Sequence, residues 1–191
     1  EHINDAADLA EVAETLAEYG FSIIPCGGHG EIPPAHFVRR CDNDMSQAVE
    51  KWPQTPRVSW KQYQDEPATV DQVVAGGKRF PRANPAILTG PGLVVIDADD
   101  QATIDHMEQS DAFTRTPFTV DTGRAEKGRH YYYQGNPELP IRNSVSKQKL
   151  DVRGDGGYVI APGAIHATGT RYKLSLDPGY DVTGGDDLPV I

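Results

Sequence analysis

A chain of 191 residues fits one domain or two small fused lobes, and at 38% hydrophobic and 24% charged it has the composition of an ordinary soluble protein with a real core. Its net charge of −10 argues against a generic nucleic-acid coat, whose affinity comes from a broad basic surface, but not against an enzyme with one local basic groove. No apolar run reaches the roughly 18 residues of a membrane span, and the first 18 residues are acidic with no Lys or Arg, unlike a signal peptide.

Residues 5–19 read as an amphipathic helix, with Leu9, Val12, Ala13 and Leu16 on one face and Gly20 as its stop. Phe21 to Pro25 reads as a short strand, and residues 26–60 as mostly loop with one helix near 44–51. Thr69 is placed to cap a helix running to about Lys78. Ala86–Thr89 and Leu93–Asp97 are apolar runs around Gly90-Pro91-Gly92, which is a hairpin signal, and the second reads as a buried central strand. Residues 101–109 look helical. Phe118–Asp121 and His130–Tyr133 read as strands around a Gly, Lys and Arg loop. Lys149–Val152 and Gly157–Ala161 flank a Gly-rich turn, and Tyr172–Leu174 reads as a last strand. From Asp177 the chain is turn-rich and reads as a tail or linker. The sum is strand-rich with a few helices, an α+β pattern.

Charge is patterned along the chain. Segment 124–153 carries Arg124, Lys127, Arg129, Arg142, Lys147, Lys149 and Arg153 against Glu126, Glu138 and Asp151, a local excess of four positive charges in an acidic whole. Two cysteines, Cys26 and Cys41, make no disulfide framework, so a reducing cytosol is the default. The chain opens on Glu1 rather than Met, as a piece excised from a longer protein would.

Asp97-Ala98-Asp99 closes an apolar strand, and side chains at i and i+2 of a strand share a face. Two carboxylates so placed repel each other unless a cation lies between them, and hard oxygen ligands suit magnesium or manganese. Asp151, in a second strand-like run, is a candidate third ligand. Three carboxylates can hold two metals about 3.5–4 Å apart, the clamp for in-line phosphoryl transfer. The alternative is a solvated strand end in which Asp99 or Asp100 caps the following helix. A calcium-loop reading from Asp97 fails at Ala102, where the sharp turn needs Gly.

Arg129 and His130 open a strand beside a flexible Gly loop and can donate to phosphate oxygens; the alternative for His130 is a surface histidine at a strand start. Arg153 lies two residues after Asp151 and would share its face, as an ion pair or as a phosphate contact. The spacing of Cys26, His29, His36 and Cys41 is not a standard zinc-finger spacing, and these are read as loop residues. No nucleophile elbow, P-loop or dinucleotide fingerprint is present.

Several of these pieces follow one another in the order found in a known family. Gly20-Phe-Ser-Ile-Ile-Pro25, Trp60 with Pro67–Asp71, Asn84–Gly90 leading into Val94–Asp99, Thr122-Gly123 through Gly128-Arg129-His130, Leu150–Gly154, Gly157–Pro162 and His166 resemble the bifunctional primase–polymerase domain of the archaeo-eukaryotic primase superfamily, found in phage, plasmid and mobile-element replication proteins. The likeness runs from about Ala13 to Tyr172. It implies a strand-rich catalytic lobe related to the RNA-recognition fold, packed with an N-terminal α/β lobe, with nucleotide and template in the cleft between them. It implies a catalytic domain over 1–176 and a tail, 177–191, leading towards a downstream region.

By the same resemblance, Asp97 and Asp99 match the first acidic motif and Asp151 the last, so all three would ligate magnesium or manganese. His130 matches the histidine that contacts the incoming triphosphate, with Arg129 and Arg153 as phosphate contacts by position and Lys149 and His166 as further candidates. The implied activity is template-directed DNA synthesis and priming. The implied partners are single-stranded or primed DNA, nucleoside triphosphates and a helicase domain in the full-length protein, with no membrane, in the cytoplasm of a bacterial or archaeal host. Two other functions fit the same residues: a non-catalytic replication-initiation module, and a metal-dependent phosphohydrolase.

The chain departs from the family pattern at three places. Gly128 stands where the middle motif often has Ser, so a hydroxyl is lost. Glu31 stands in the region where many relatives carry Lys before Pro. No Cys/His cluster lies between Asp99 and Asp151 to bind a zinc such as some relatives carry there.

Overall fold

The computed structural model describes residues 2–5, 8–90, 92–124, 126–136, 138–146, 148–177 and 188–190. It is mixed α+β, with two antiparallel sheets and short helices. Most of the expected tail beyond Asp177 lies outside the described residues.

A first turn of helix, α1 (His2–Asp5), precedes α2 (Leu9–Glu18). Asp8 caps α2 by accepting from the Ala10 N–H, and Gly20, at φ 87°, reverses the chain where a side chain would be strained. Its buried stripe is Val12, Ala13, Leu16 and Ala17. Strand β1 (Ile23–Pro25) follows. The stretch 26–60, expected to be mostly loop, holds α3 (Ala35–Arg40), α4 (Met45–Lys51) and a single 3-10 turn over Trp52–Gln54. A small satellite core of Phe37, Cys41, Ala48 and Trp52 supports them. Cys26 and Cys41 lie outside the helices and strands, as read, at an isolated bridge and a turn, but each is buried, in different clusters.

After α5 (Gln62–Asp65), helix α6 (Val70–Arg79) starts in a full capping box, Thr69 exchanging bonds with Gln72. Strand β2 (Pro85–Thr89) is buried along its length. It is followed by β3 (Leu93–Ala98), α7 (Gln101–Glu108), β4 (Phe118–Asp121), β5 (Arg129–Gln134), β6 (Leu150–Arg153), β7 (Gly157–Ile160) and β8 (Lys173–Leu176).

The expected hairpin between β2 and β3 does not form. β2 pairs with β1 and β7 in a three-stranded sheet, whereas β3 is central in a five-stranded sheet of order β6-β3-β5-β4-β8. The turn at Gly90 and Gly92 keeps one isolated bridge, Gly90 to Leu93, and then hands the chain from one sheet to the other. Both runs are apolar on both faces, so each needs covering from two sides, which a shared two-stranded ribbon cannot give. The Gly154–Gly156 turn likewise passes the chain from β6 in the large sheet to β7 in the small one.

The five-stranded sheet has two different faces. One carries Ala98, Tyr131 and Tyr133, covered by Ile104 and Met107 of α7 and by Phe113. The other carries Val95, Tyr132, Phe118 and Val120 and joins the main core with Ile23, Ile24, Ile87, Val159 and Leu16 from the small sheet and α2. Burying side chains of this size contributes about 1.5–3 kcal/mol each. The polar residues of the sheet lie at one end of this second face.

Candidate active site

The site follows from strand register. Antiparallel partners point to the same face of a sheet, and Asp97 of β3 pairs with Asp151 of β6 on one side and His130 of β5 on the other. Three residues far apart in sequence thus stand in one row, and all three are buried. Arg153, two residues beyond Asp151 on the same strand, reaches back over them. Its Nη2 lies 2.8 Å from Asp151 Oδ2 and 3.4 Å from Asp97 Oδ2. His130 Nε2 is 3.5 Å from Asp97 Oδ1.

Asp99 stands just past the end of β3, where its N–H donates to the Lys149 carbonyl at 2.9 Å. Arg124 Nη1 is 2.5 Å from its Oδ1, an ionic contact without the alignment of a hydrogen bond. It is Asp100 that caps α7, accepting from the Thr103 N–H, so Asp99 is left free of that structural duty. Lys149 and the Thr103 N–H hold the Asp100 carboxyl down to about 2. Burial and the neighbouring Asp97 raise the Asp99 carboxyl above its ordinary range, against the pull of Arg124. Burial lowers the imidazole of His130, and Arg124 and Arg153 add to this while Asp97 opposes it, so the ring is neutral at neutral pH.

A cavity of about 200 Å³ opens here, lined by Asp97, His130, Thr122, Arg124, Arg153 and Tyr172 from the large sheet side and Tyr158 from the small sheet, among others. Among the described residues, four buried side-chain polar atoms have no hydrogen-bond partner: Asp99 Oδ1, which has only its ionic contact with Arg124, Thr122 Oγ1, His130 Nδ1 and Tyr132 Oη. Native interiors satisfy nearly all such atoms. Thr122 and His130 line the cavity itself, and Asp99 and Tyr132 border the Asp97 row. A second cleft of about 270 Å³, between α2, α6 and β1, is more apolar and carries no cluster of titratable groups.

The donor set suits a hard divalent cation. Two buried carboxylates in register, with a third at the strand end, concentrate negative charge in a low-dielectric site. Among the described residues, no three of His, Cys, Asp and Glu are gathered at metal-holding geometry, and the guanidinium of Arg153 stands between Asp97 and Asp151 with the charge a cation would bring.

The other expected site residues are distributed unevenly. Arg129 neighbours His130 on β5 and so points to the opposite face, where it pairs with Asp121 at 2.7 Å and Glu108 at 3.2 Å. Lys149 pairs with Asp100 and Glu126 outside the cavity. His166 is half-buried near the cavity, 6.0 Å from the Tyr172 ring, with its Nδ1 engaged by Thr168. Lys147 lies outside the described residues. Arg124, Thr122 and Tyr172 enter the site although the sequence did not single them out. Arg124 sat in the basic run, but a single Thr or Tyr in a strand-rich chain carries no signal of its own.

Steric crowding accounts for Gly128. A Cβ there would lie 2.6 Å from Thr122 Oγ1 and 2.9 Å from the Ala98 carbonyl. The side chain is absent because the Thr122 hydroxyl fills its place. Gly128→Ser should therefore overpack the site and lower stability by about 1–3 kcal/mol, read as a drop in thermal midpoint.

A family model described as bifunctional DNA primase/polymerase, N-terminal, matches residues 13–189. A comparison with curated proteins gives no match. With the family model spanning nearly the whole chain, and Asp151, Asp97 and His130 in one row across three adjacent strands, this chain belongs to the bifunctional DNA primase/polymerase family.

Proposed function

We propose that the chain is the template-directed DNA polymerase and primase domain of a phage or plasmid replication protein, working by a two-metal mechanism. The observation that carries this reading is the row Asp151–Asp97–His130 across three adjacent strands, with Arg153 on its two carboxylates and Arg124 on neighbouring Asp99. Asp97, Asp99 and Asp151 would hold magnesium or manganese. When bound, the metals supply a lowered pKa for a primer 3′-hydroxyl and charge to steady the leaving pyrophosphate.

The chain's own groups do the rest. Arg153 and Arg124 neutralise the carboxylates in the free protein and turn to phosphate oxygens when a triphosphate enters. His130 lines the same space, and its buried Nδ1 has no hydrogen-bond partner. The Thr122 hydroxyl, also unpartnered and beside His130, supplies the polar contact that a Ser at position 128 would otherwise bring. Tyr132 and Tyr172 wall the row with apolar surface, which strengthens every charge interaction inside.

The five-stranded sheet supports kinship with the RNA-recognition fold. Numbered from β3, its first four strands take the order 4-1-3-2, with α7 between the first and second. Within this reading, residues 1–176 form most of the catalytic unit, to which Leu188 adds a buried side chain and Pro189 a carbonyl that accepts from the Gln134 N–H, and a helicase is a further part of the full-length protein, in the cytoplasm of a bacterial or archaeal host.

Primer extension on a short DNA template tests the reading. The expected result is extension that requires magnesium or manganese. Phosphate release from free nucleotide with no extended primer would replace it with a phosphohydrolase. Thr122→Val should raise the KM for nucleotide about tenfold, the scale of one lost hydrogen bond to a charged group, while kcat falls less; Thr122→Ser should restore the wild-type KM.

A further inference from the structure

Another concave surface adjoins the site. It is an open groove of about 460 Å³ between α3, α4 and the 55–61 segment, lined by Phe37, Trp60, Tyr158, Arg40, Lys51 and Lys61 with small residues between them. Three features set it apart. Three cations and no carboxylate line it, in a chain whose net charge is −10. Among the described residues none of those cations is in an ion pair; Lys51 only donates to Gln47 Oε1 at 3.1 Å. By contrast Arg57, close by in sequence, is fully engaged with Glu31 and stacked on Phe80. Among the described residues the cations of the groove are left without a carboxylate partner.

The second feature is aromatic. Trp60 and Tyr158 meet edge to face, with ring centroids 5.6 Å apart, and both line the groove. The third is continuity. Tyr158 also lines the catalytic cavity, and its hydroxyl donates to the Gln54 carbonyl at 3.0 Å, fixing the ring at the junction of the two.

An acidic chain that collects cations without ion pairs around two half-buried aromatic rings, Trp60 and Tyr158, presents charge complementarity to a flexible polyanion with flat, apolar side groups. Single-stranded nucleic acid has that chemistry: phosphates for the cations and unpaired bases for the rings. A duplex hides its base faces and cannot use the rings, and an acidic peptide has no comparable stacking group. We propose that this groove is the track along which the single-stranded template runs towards the catalytic cavity. The identification of the strand as template rests on the polymerase reading; the groove's preference for single-stranded DNA does not.

The test is binding of fluorescent oligothymidylate to the whole chain, by anisotropy, without divalent metal, across a range of salt. Lys51→Glu with Lys61→Glu, and separately Arg40→Glu, change exposed side chains and leave the core alone. The double variant should weaken binding more than tenfold at low salt and flatten the salt dependence by about 0.7 for each phosphate that is no longer neutralised. Trp60→Ala should weaken binding about tenfold, and Trp60→Phe should keep most of it. Oligothymidylate should quench tryptophan emission in the wild type but not in Trp60→Phe, since Trp52 is buried. Charge-reversed variants that bind like the wild type, or a duplex bound as tightly as the single strand, would overturn the proposal. A wild type that binds through this groove yet extends no primer sinks the polymerase reading and leaves the groove standing.

Discussion

Asp97→Asn is expected to lower metal-dependent primer extension by at least about 10²–10³-fold, with little loss of folding stability. The substitution keeps the side chain's shape and removes its charge. Asp97 is the middle of the row, within reach of Arg153 and His130 and directly opposite Asp151, so no neighbouring carboxylate can replace it. Its removal also relieves repulsion: Asp97 and Asp151 both contribute to raising the Asp99 carboxyl. Arg153 keeps its 2.8 Å partner in Asp151. The thermal midpoint should therefore hold or rise while activity collapses, a separation that a merely structural aspartate would not give. Asp151→Asn should behave alike in activity but lose some stability, because Asp151 accepts on both oxygens, from the Ser146 N–H and from Arg153, each at 2.8 Å, and an amide keeps only one acceptor. Wild-type extension rates in Asp97→Asn would refute the assignment of this site. The comparison is best made at saturating nucleotide, where a defect in chemistry is separated from weaker binding.

The second large effect concerns stability, at Glu31. Its carboxylate accepts from the Gly28 N–H at 2.9 Å, from Trp52 Nε1 at 3.2 Å and from Arg57 at 2.9 and 3.0 Å, and Arg82 stands 3.8 Å away. Arg57 in turn lies over the Phe80 and Trp52 rings. Glu31 thus ties the 26–34 loop to the α4 end and the 55–61 segment. Glu31→Lys would set an ammonium against Arg57 and strip three donors of their acceptor. The expected cost is about 3 kcal/mol, below the upper range for a broken buried pair because Arg57 is partly open to water. For a chain of this length that is roughly 6–12 °C in Tm. Position 31 cannot take over a lysine's role in this chain, because its negative charge is structural.

The same group makes stability pH-dependent. Burial pushes the Glu31 carboxyl up, but the bonds from Gly28 and Trp52 and the charge of Arg57 outweigh it and hold the folded value below the ordinary 4.5. A carboxyl depressed on folding contributes stability above its unfolded pKa, and that contribution is lost as pH falls through the folded value. Melting of the wild type should weaken below about pH 4.5. Glu31→Gln should flatten that part of the profile.

Much of the fold was legible where local rules and tertiary demands agree. The helices α2, α6 and α7 were readable because caps and apolar spacing are local: Thr69 and Asp100 each accept a backbone N–H as a cap does, while Asp8, not read as a cap, does the same for α2 and starts it later than the expected residue 5. The strands around Asp97, His130 and Asp151 were readable from apolar runs. Missed were the helices α3 and α5, too short and too polar to show a periodic face, and the buried state of Cys26 and Cys41, which only long-range packing determines. The hairpin expected at Gly90–Gly92 failed for a related reason. Adjacent apolar runs usually pair, and nothing local says that each will be claimed by a different sheet.

By itself the sequence determined the chemistry on offer: three carboxylates, a histidine and a local excess of arginine and lysine, in an order that matches one family. Tertiary structure decided which of these meet. Register put Asp97 opposite both Asp151 and His130, and strand alternation sent Arg129 to the far face while Arg153 turned inward. Packing brought in Thr122, Arg124 and Tyr172 and excluded a side chain at Gly128. The physical reason is that side-chain direction along one strand is a local property of period two, whereas the partner across the sheet is set by pairing between strands dozens of residues apart.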